Sequence, residues 1–431
     1  MAGEKLTLIH LSDIHFIRGF SGESKFDLDA PVRDALIEDA VHLKDRLKPI
    51  GGVLVTGDIA FAGKTSEFET AKTWLSRLSG ALDCDPGYVW CVPGNHDVDR
   101  SFHKEFSAIP ALHEQLRKTT DLDKKLRDHC ENENTGPMLF APFRAYNEVI
   151  GQRFDCLTQP KQPWWTDDLP LNDGSILRLR GLNSALVSGV ADDEPDRKNR
   201  LLLGSAQTEY GHQRGVEYLT LCHHPIDWLQ DGDNAEKALL AYSRIQLFGH
   251  KHVQSVVQKD NSLWLTAGAV HPLREEKQWE PRYNCLSIWV EGTDANRKLC
   301  VELYARVWSH SERLFTREQS SADSDHRLYK LTLRAWKPEM PRPLQSESDA
   351  TKQVRAAESG DSRLSFHRKK LLYRFVELPH HKRLAIIEKF GLKEAGDDTR
   401  PDVELFAAFF DRAHKKGIID QVWEAIEAEK G

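Results

Sequence analysis

Five short polar motifs, each standing directly after an apolar run, constrain this chain more than any other feature in it. They are Asp13-Ile14-His15, Gly57-Asp58, Gly94-Asn95-His96-Asp97, His223-His224-Pro225 and Gly249-His250-Lys251-His252. The preceding runs are Leu6 to Leu11, Gly52 to Val55, Tyr88 to Val92, Tyr218 to Leu221 and Arg244 to Leu247, and all read as buried strands. Helical stretches separate the first three, from Pro31 to Leu47 and from Glu67 to Leu82. The second places Phe68, Ala71, Trp74 and Leu75 on one face. Strand alternating with helix predicts an α/β layered fold. In such folds ligands gather beyond the carboxyl ends of strands, so five motifs in that position predict a single crevice.

The residue types say what that crevice holds. Hydrolysis of a phosphate ester needs charge neutralisation and an activated water. Two divalent ions roughly 3.5–4 Å apart supply both. Building such a site takes imidazole and carboxylate ligands from several chain segments, with one carboxylate able to bridge. Asp13, His15, Asp58, Asn95, His96, His223, His250 and His252 provide that set. Imidazole, carboxylate and amide together suit Mn, Fe, Zn, Co or Ni without selecting one. Gly57, Gly94 and Gly249 each precede a candidate site residue, where a tight turn or close backbone approach is expected.

The rest of the chain predicts accessories to this core. Residues 101–155 are charged and helical, interrupted near Asn132 to Pro137, and read as an insertion placed as a lid. Further strands are expected at Ile176 to Leu182, Leu263 to Ala267, Cys285 to Val290 and Cys300 to Trp308, forming a second sheet against the first. Ser309 to Asp325 reads as a loop and Leu328 to Trp336 as a last strand. Residues 338–362, with Pro338, Pro341 and Pro343 in a polar run, have linker composition. Beyond them, 363–431 reads as a bundle of about four helices. Leu371, Leu372 and Phe375 share one face, and Val403, Phe406, Ala407, Phe410 and Ala413 form another stripe. The predicted organisation is a catalytic domain over 1–337, a linker and an all-α module.

Composition narrows the setting. Asp and Glu outnumber Lys and Arg, giving a net charge of -7, which argues against tight non-specific nucleic-acid binding but allows a local basic groove. The 7 cysteines are scattered and form no Cys-x-x-Cys pair, so neither a disulfide framework nor a zinc finger is expected. No apolar stretch is long enough to span a membrane and no signal-peptide pattern opens the sequence. A soluble cytoplasmic protein is expected.

With the motifs in order, the sequence resembles the calcineurin-like metallophosphoesterase superfamily from about Leu6 to Ala269. Asp13-Ile14-His15-Phe16, Gly57-Asp58-Ile59-Ala60, the run Gly94 to Arg100 and His223-His224-Pro225 resemble its bacterial branch that contains cyclic-nucleotide phosphodiesterases. The resemblance implies a four-layer α/β/β/α sandwich and a hydrolase working by in-line attack of a metal-activated hydroxide. It implies that Asp13, His15 and His252 hold the first metal, that Asn95, His223 and His250 hold the second, and that Asp58 bridges them. His96 becomes a general acid or charge stabiliser, and Asp97 orients a histidine. His223 is preferred to His224 as ligand because it stands two residues before Pro225. The C-terminal helices resemble small death-like adaptor modules fused to bacterial defence effectors, which implies a protein partner.

Three functions follow from these readings: a phosphodiesterase on a cyclic nucleotide or other small phosphodiester, a metal-dependent nuclease, and an adaptor-effector whose bundle recruits a partner. Phe406 and Phe410 facing solvent would favour the last. Other polar residues are expected to be structural. His10 reads as a packed histidine, Arg18 as a solvated loop residue and His224 as an imidazole behind the ligands. His271 is a candidate border of the substrate site, and Asn183 a strand-end residue near it.

Overall fold

The computed structural model describes residues 5–17, 27–47, 49–85, 87–189, 200–272, 280–318 and 324–337 of the first part of the chain. Further on it describes 375, 378, 380–393, 402–416, 418, 421–422 and 425–426. The chain divides into two compact units, 1–342 and 343–431. The proposed linker, Arg18, Leu371 and Leu372 lie outside the described residues.

The first unit is built on two mixed sheets. Strands Leu6–Leu11 (β1), Ile50–Val55 (β2) and Val89–Cys91 (β3) are joined by helices Ala30–Leu47 (α1) and Thr65–Ala81 (α2). Next come Trp164–Pro170 (β4), Ile176–Leu182 (β5), Val216–Cys222 (β6), Ser243–Phe248 (β7), Ser255–Lys259 (β8) and Ser262–Thr266 (β9). Arg282–Glu291 (β10), Lys298–Ser309 (β11), Leu314–Arg317 (β12) and Arg327–Thr332 (β13) follow. One sheet has the order β12-β11-β10-β1-β2-β3, with β13 also on β11. The other is β4-β5-β6-β7-β9-β8.

The strands expected at 285–290 and 300–308 therefore join the first sheet, not the second. β1 has β2 in parallel on one edge and would expose its other edge to water. β10 closes that edge in antiparallel register, with Leu8 opposite Leu286. Three strands went unpredicted. β12 lies inside the segment read as a loop, and β8 is largely exposed. β4 carries Asp167, which is buried because its carboxylate accepts from the Trp90 indole across the sheets at 2.7 Å.

Helices cover the outer faces, giving the α/β/β/α arrangement. α1 is tied to the first sheet by Asp39, which accepts from the Tyr283 hydroxyl and the Arg306 guanidinium. On the second sheet, helix Gly232–Tyr242 buries Ala235 and Leu239. The insertion is helical as expected. Its Leu116, Leu126, Leu139, Phe140 and Phe143 share one apolar cluster with Leu182, Cys222 and Phe248, the last residues of β5, β6 and β7. The insertion thus packs against the carboxyl ends of those strands, the same ends that carry the His223 and His250 motifs.

The second unit has its own core. Helices His380–Lys389 and Asp402–Lys415 bury Ile386, Ile387, Phe406, Phe409 and Phe410 with Phe375 and Val422. Phe406 and Phe410 are both 3% exposed, so the solvent-facing aromatic stripe considered for an adaptor surface is absent from this core. No helix among the described residues is long and apolar enough to cross a membrane.

Candidate metal centre

All five motifs leave parallel strands at their carboxyl ends. Asp13 and His15 follow β1, Asp58 follows β2, and Asn95 and His96 follow β3. His223 follows β6, and His250 and His252 follow β7. Backbone hydrogen bonds knit the loops together, from Asp13 N to Gly57 O, His15 N to Asp58 O, and Gly249 N to His223 O.

The local backbone is unusual. Among the described residues ten non-glycine positions have positive φ, and Asp13, His15, Asp58, His250 and His252 are five of them, with φ between 52° and 70°. Left-handed backbone costs energy in residues with a Cβ, and it concentrates where geometry is dictated by a site. Two glycines make room. A Cβ on Gly94 would stand 2.1 Å from Asp58 Oδ1, and one on Gly57 would stand 2.6 Å from His223 Nδ1.

The side chains converge in groups. Asp13, His15 and His252 form one, His223, His224 and His250 another, and Asp58 reaches both sides through groups with His15 and His96 and with Asp13 and His223. His252 Nε2 lies 3.3 Å from Asp13 Oδ1, and His223 Nε2 lies 3.2 Å from Asp58 Oδ2. Asn95 Oδ1 is 3.2 Å from His223 Nε2.

Tautomers follow from the partners. The Thr56 carbonyl can only accept, so His223 Nδ1 donates to it at 2.7 Å and Nε2 faces Asp58 and Asn95. By the same reasoning His96 Nδ1 donates to the Phe61 carbonyl at 2.7 Å, while its backbone N–H donates to Asp58 Oδ1 at 2.8 Å. The Nε2 of His96 is left for chemistry.

Burial raises the cost of charge here, yet the carboxylates stay ionised. Burial pushes Asp13 up, but His252 and His223 hold it down to about 2. Burial likewise opposes the charge on Asp58, and His223 and His96 pull it well below the usual carboxylate range. Burial depresses His223, but Asp58 and Asp13 raise it to about 9. His15 and His250 are lowered to about 4, chiefly by burial.

This donor set fits divalent ions. Asp13 Oδ1 and both ring nitrogens of His15 are buried with no hydrogen-bond partner. Such atoms carry a desolvation penalty that coordination would relieve. Asp13, His15, Asp58, Asn95, His223, His250 and His252 are the residues that would hold the ions.

One expectation changes. Asp97 was expected to orient a histidine. Its carboxylate instead accepts from the backbone amides of Ala60 at 2.8 Å and Gly94 at 2.9 Å, pinning the Asp58 loop to the Asn95 loop. Burial, then the nearby Asp58 charge, raises Asp97 to about 7. His224 stands beside Asn95. Its Nε2 is 3.1 Å from Asn95 Oδ1, and Ser184 Oγ sits 2.9 Å from its Nδ1. The adjacent His-His pair was the only signal available for this in the sequence.

The other described candidates have identifiable partners. His10 is buried on Thr56 Oγ1 at 3.0 Å. Asn183 donates to Thr158 Oγ1 and accepts from the Ala185 amide. His271 donates from its backbone to Asp13 O, clamping the β1 loop. Sequence reasoning missed the rings that flank the centre. Trp228 packs 4.2 Å from His250, and Phe61, 38% exposed, packs 5.3 Å from His96, centroid to centroid.

Two family models match the chain. The family model described as calcineurin-like phosphoesterase matches residues 6–254. A second, the GTPase-associated adaptor domain, matches 368–428. Among solved structures, Vacuolar Protein Sorting 29 from Cryptosporidium parvum is 11% identical, covering 77% of this chain and 100% of its own, with a TM-score of 0.32. A Streptococcus pneumoniae protein described as a predicted phosphoesterase is 11% identical, covering 76% and 99%, with a TM-score of 0.29. No curated protein matches the chain. The family match spans more than half of the sequence and carries the five motifs up to His252, so the chain belongs to the calcineurin-like phosphoesterase family of metal-dependent hydrolases.

Proposed function

We propose that the protein is a dinuclear metal-dependent phosphodiesterase acting on a cyclic nucleotide or another small phosphodiester. One observation carries this reading: ligand atoms of Asp13, His15 and His252 gather in one group and those of His223, His224 and His250 in another, while Asp58 joins groups with His15 and with His223, and Asn95 Oδ1 lies 3.2 Å from His223 Nε2. When bound, two divalent ions would neutralise the phosphate and lower the pKa of water.

The chain's own residues do the rest. His96 is held by the Phe61 carbonyl so that Nε2 presents a proton to the leaving oxygen. Asp97 keeps the Asp58 and Asn95 loops in register through backbone amides. His224, fixed by Ser184, donates to Asn95 Oδ1 and holds the amide for coordination. The rings of Phe61 and Trp228 stand on either side of the ligands and suit a flat apolar leaving group. The insertion over the ends of β5–β7 acts as a lid that favours small substrates, and the net charge of -7 disfavours the nuclease alternative.

The test is turnover of an aryl phosphodiester and an aryl phosphomonoester by the full chain after Mn loading. Metal-dependent diesterase activity that disappears in Asp58→Asn supports the reading. Absence of activity, or full activity in Asp58→Asn, sinks it, and a preference for the monoester overturns the diesterase assignment.

A second reading concerns the C-terminal unit, and the adaptor-domain match at 368–428 favours it. We place a protein partner there. Phe406 and Phe410 are internal, so such a partner would bind through other residues of the unit. Deletion of 363–431 should leave diesterase turnover intact and abolish partner binding. Seven reduced cysteines, six of them buried, support a cytoplasmic setting.

A further inference from the structure

A second polar cavity, of about 290 Å³, lies at the opposite ends of the second-sheet strands from the metal centre. It opens where β6 and β7 begin, at Val216 and Ser243, whereas the metal ligands follow Cys222 and Phe248. A seven-residue strand separates the two sites by roughly 20 Å. Four arginines line the cavity, Arg214, Arg244, Arg297 and Arg334, together with His212 and a single carboxylate, Glu217. In a chain whose net charge is -7, this is a local reversal of sign.

The charges do not balance. The fork of Arg297 is already taken: it donates to Asp173 and Ser175 Oγ, and also to the Arg334 carbonyl. Its face lies over the Trp336 ring at 5.1 Å, which fixes one wall of the cavity. Glu217 is left between Arg244 at 3.7 Å and Arg297 at 3.9 Å, both beyond hydrogen-bond length. Arg244 is only 9% exposed, and its Nε is buried without a hydrogen-bond partner. Arg334 reaches His212 Nε2, which can compensate no positive charge. A buried guanidinium with an unmet donor is costly unless an anion completes it. Burial works against the charge on Arg244, Glu217 partly opposes this and Arg334 adds to it, while burial and then Arg334 lower His212.

We propose that this cavity is a second ligand site that takes a small phosphorylated anion, held by Arg244 and Arg334. Guanidinium forks match phosphoryl oxygens in pairs, and two adjacent forks suit a dianion better than a carboxylate. The volume is at the small end for ligand sites, so it admits phosphate or diphosphate but not an oligonucleotide. The site is independent of the hydrolytic reading, because none of its residues belongs to the metal centre.

Calorimetric titration of pyrophosphate into the full chain, stripped of metal so that the catalytic crevice cannot hold phosphate, tests the site. Saturable binding is expected. Arg334→Gln, at an exposed position, should weaken it about tenfold or more, the loss of one charge-assisted hydrogen bond. Arg244→Gln should weaken it at least as much, and Asp58→Asn should leave it unchanged. Absence of saturable binding to the unmodified chain overturns the proposal. So does binding that survives Arg334→Gln unaltered, binding lost in Asp58→Asn, or equal affinity for acetate.

Discussion

Asp58 Oδ2 and His223 Nε2 lie 3.2 Å apart, both almost completely buried, although 164 residues separate them in sequence. Burial opposes both charges, and mutual attraction wins, lowering Asp58 and raising His223 to about 9. Metal must therefore compete with a proton. A ligating imidazole has to be neutral, so metal affinity should rise as pH rises toward 9 and flatten above it, with about one proton released per ion at this ligand. Mn titration at a series of pH values, with proton release read from buffer ionisation heats, checks this. A pH-independent affinity would remove His223 from the ligand set. In metal-free protein the sign is the reverse for stability. The raised His223 contributes below its ordinary value of 6.5, and that contribution is lost as pH climbs through 9.

His96→Ala should lower kcat by roughly 10²–10⁴-fold, the range for loss of a general acid. Its contact with Asp58 runs through the backbone N–H, which alanine keeps. Metal stoichiometry should stay at two per chain while turnover falls. If metal is lost together with activity, His96 is a ligand and not an acid.

His224→Ala should weaken metal binding about 10–100-fold, as expected when a ligand loses the partner that orients it. Ser184→Ala should produce a smaller change in the same direction, since Ser184 only fixes the His224 ring. Calorimetric Mn affinities of the two variants decide the matter. A larger loss, matching that of His223→Ala, would make His224 a ligand itself.

Acid should destabilise the protein through its buried histidines, partly offset by Asp97, whose raised carboxyl takes up its proton in the folded chain first. Burial, the largest cause in both, lowers His10 and His113 to about 3, although Asp13 partly opposes this at His10. The unfolded chain takes up these protons near 6.5 and the folded chain does not, so stability is lost as pH falls below 6.5. Urea midpoints of metal-free protein between roughly pH 7 and pH 4 should decline, and less steeply in His113→Gln. An unchanged slope in that variant would show that His113 protonates with little penalty in the fold.

Much of the centre was legible before any coordinates. The strands before Asp13, Asp58, Asn95, His223 and His250 announced themselves as apolar runs, and each motif began where its run stopped. Less of the scaffold was legible. β4 reads Trp-Trp-Thr-Asp-Asp-Leu-Pro, and its inward Asp167 looks like a turn residue until Trp90 is seen donating to it. β10 and β11 carry ordinary strand patterns that name no partner, so their pairing beside β1 was out of reach.

The sequence by itself determined which residue types stand at five strand ends, because periodicity and composition are local properties. It determined the α/β class and a separate helical unit for the same reason. Only the tertiary structure decided that residues 13, 15, 58, 95, 223, 250 and 252 come together in adjoining groups. That meeting depends on strand order and on left-handed backbone at Asp13, His15, Asp58, His250 and His252, which no local pattern encodes. It also decided that Asp97 ties loops through backbone amides and that His224 turns inward to Asn95. Those choices are made by donors and acceptors brought from distant strands, and they exist only once both sheets are in place.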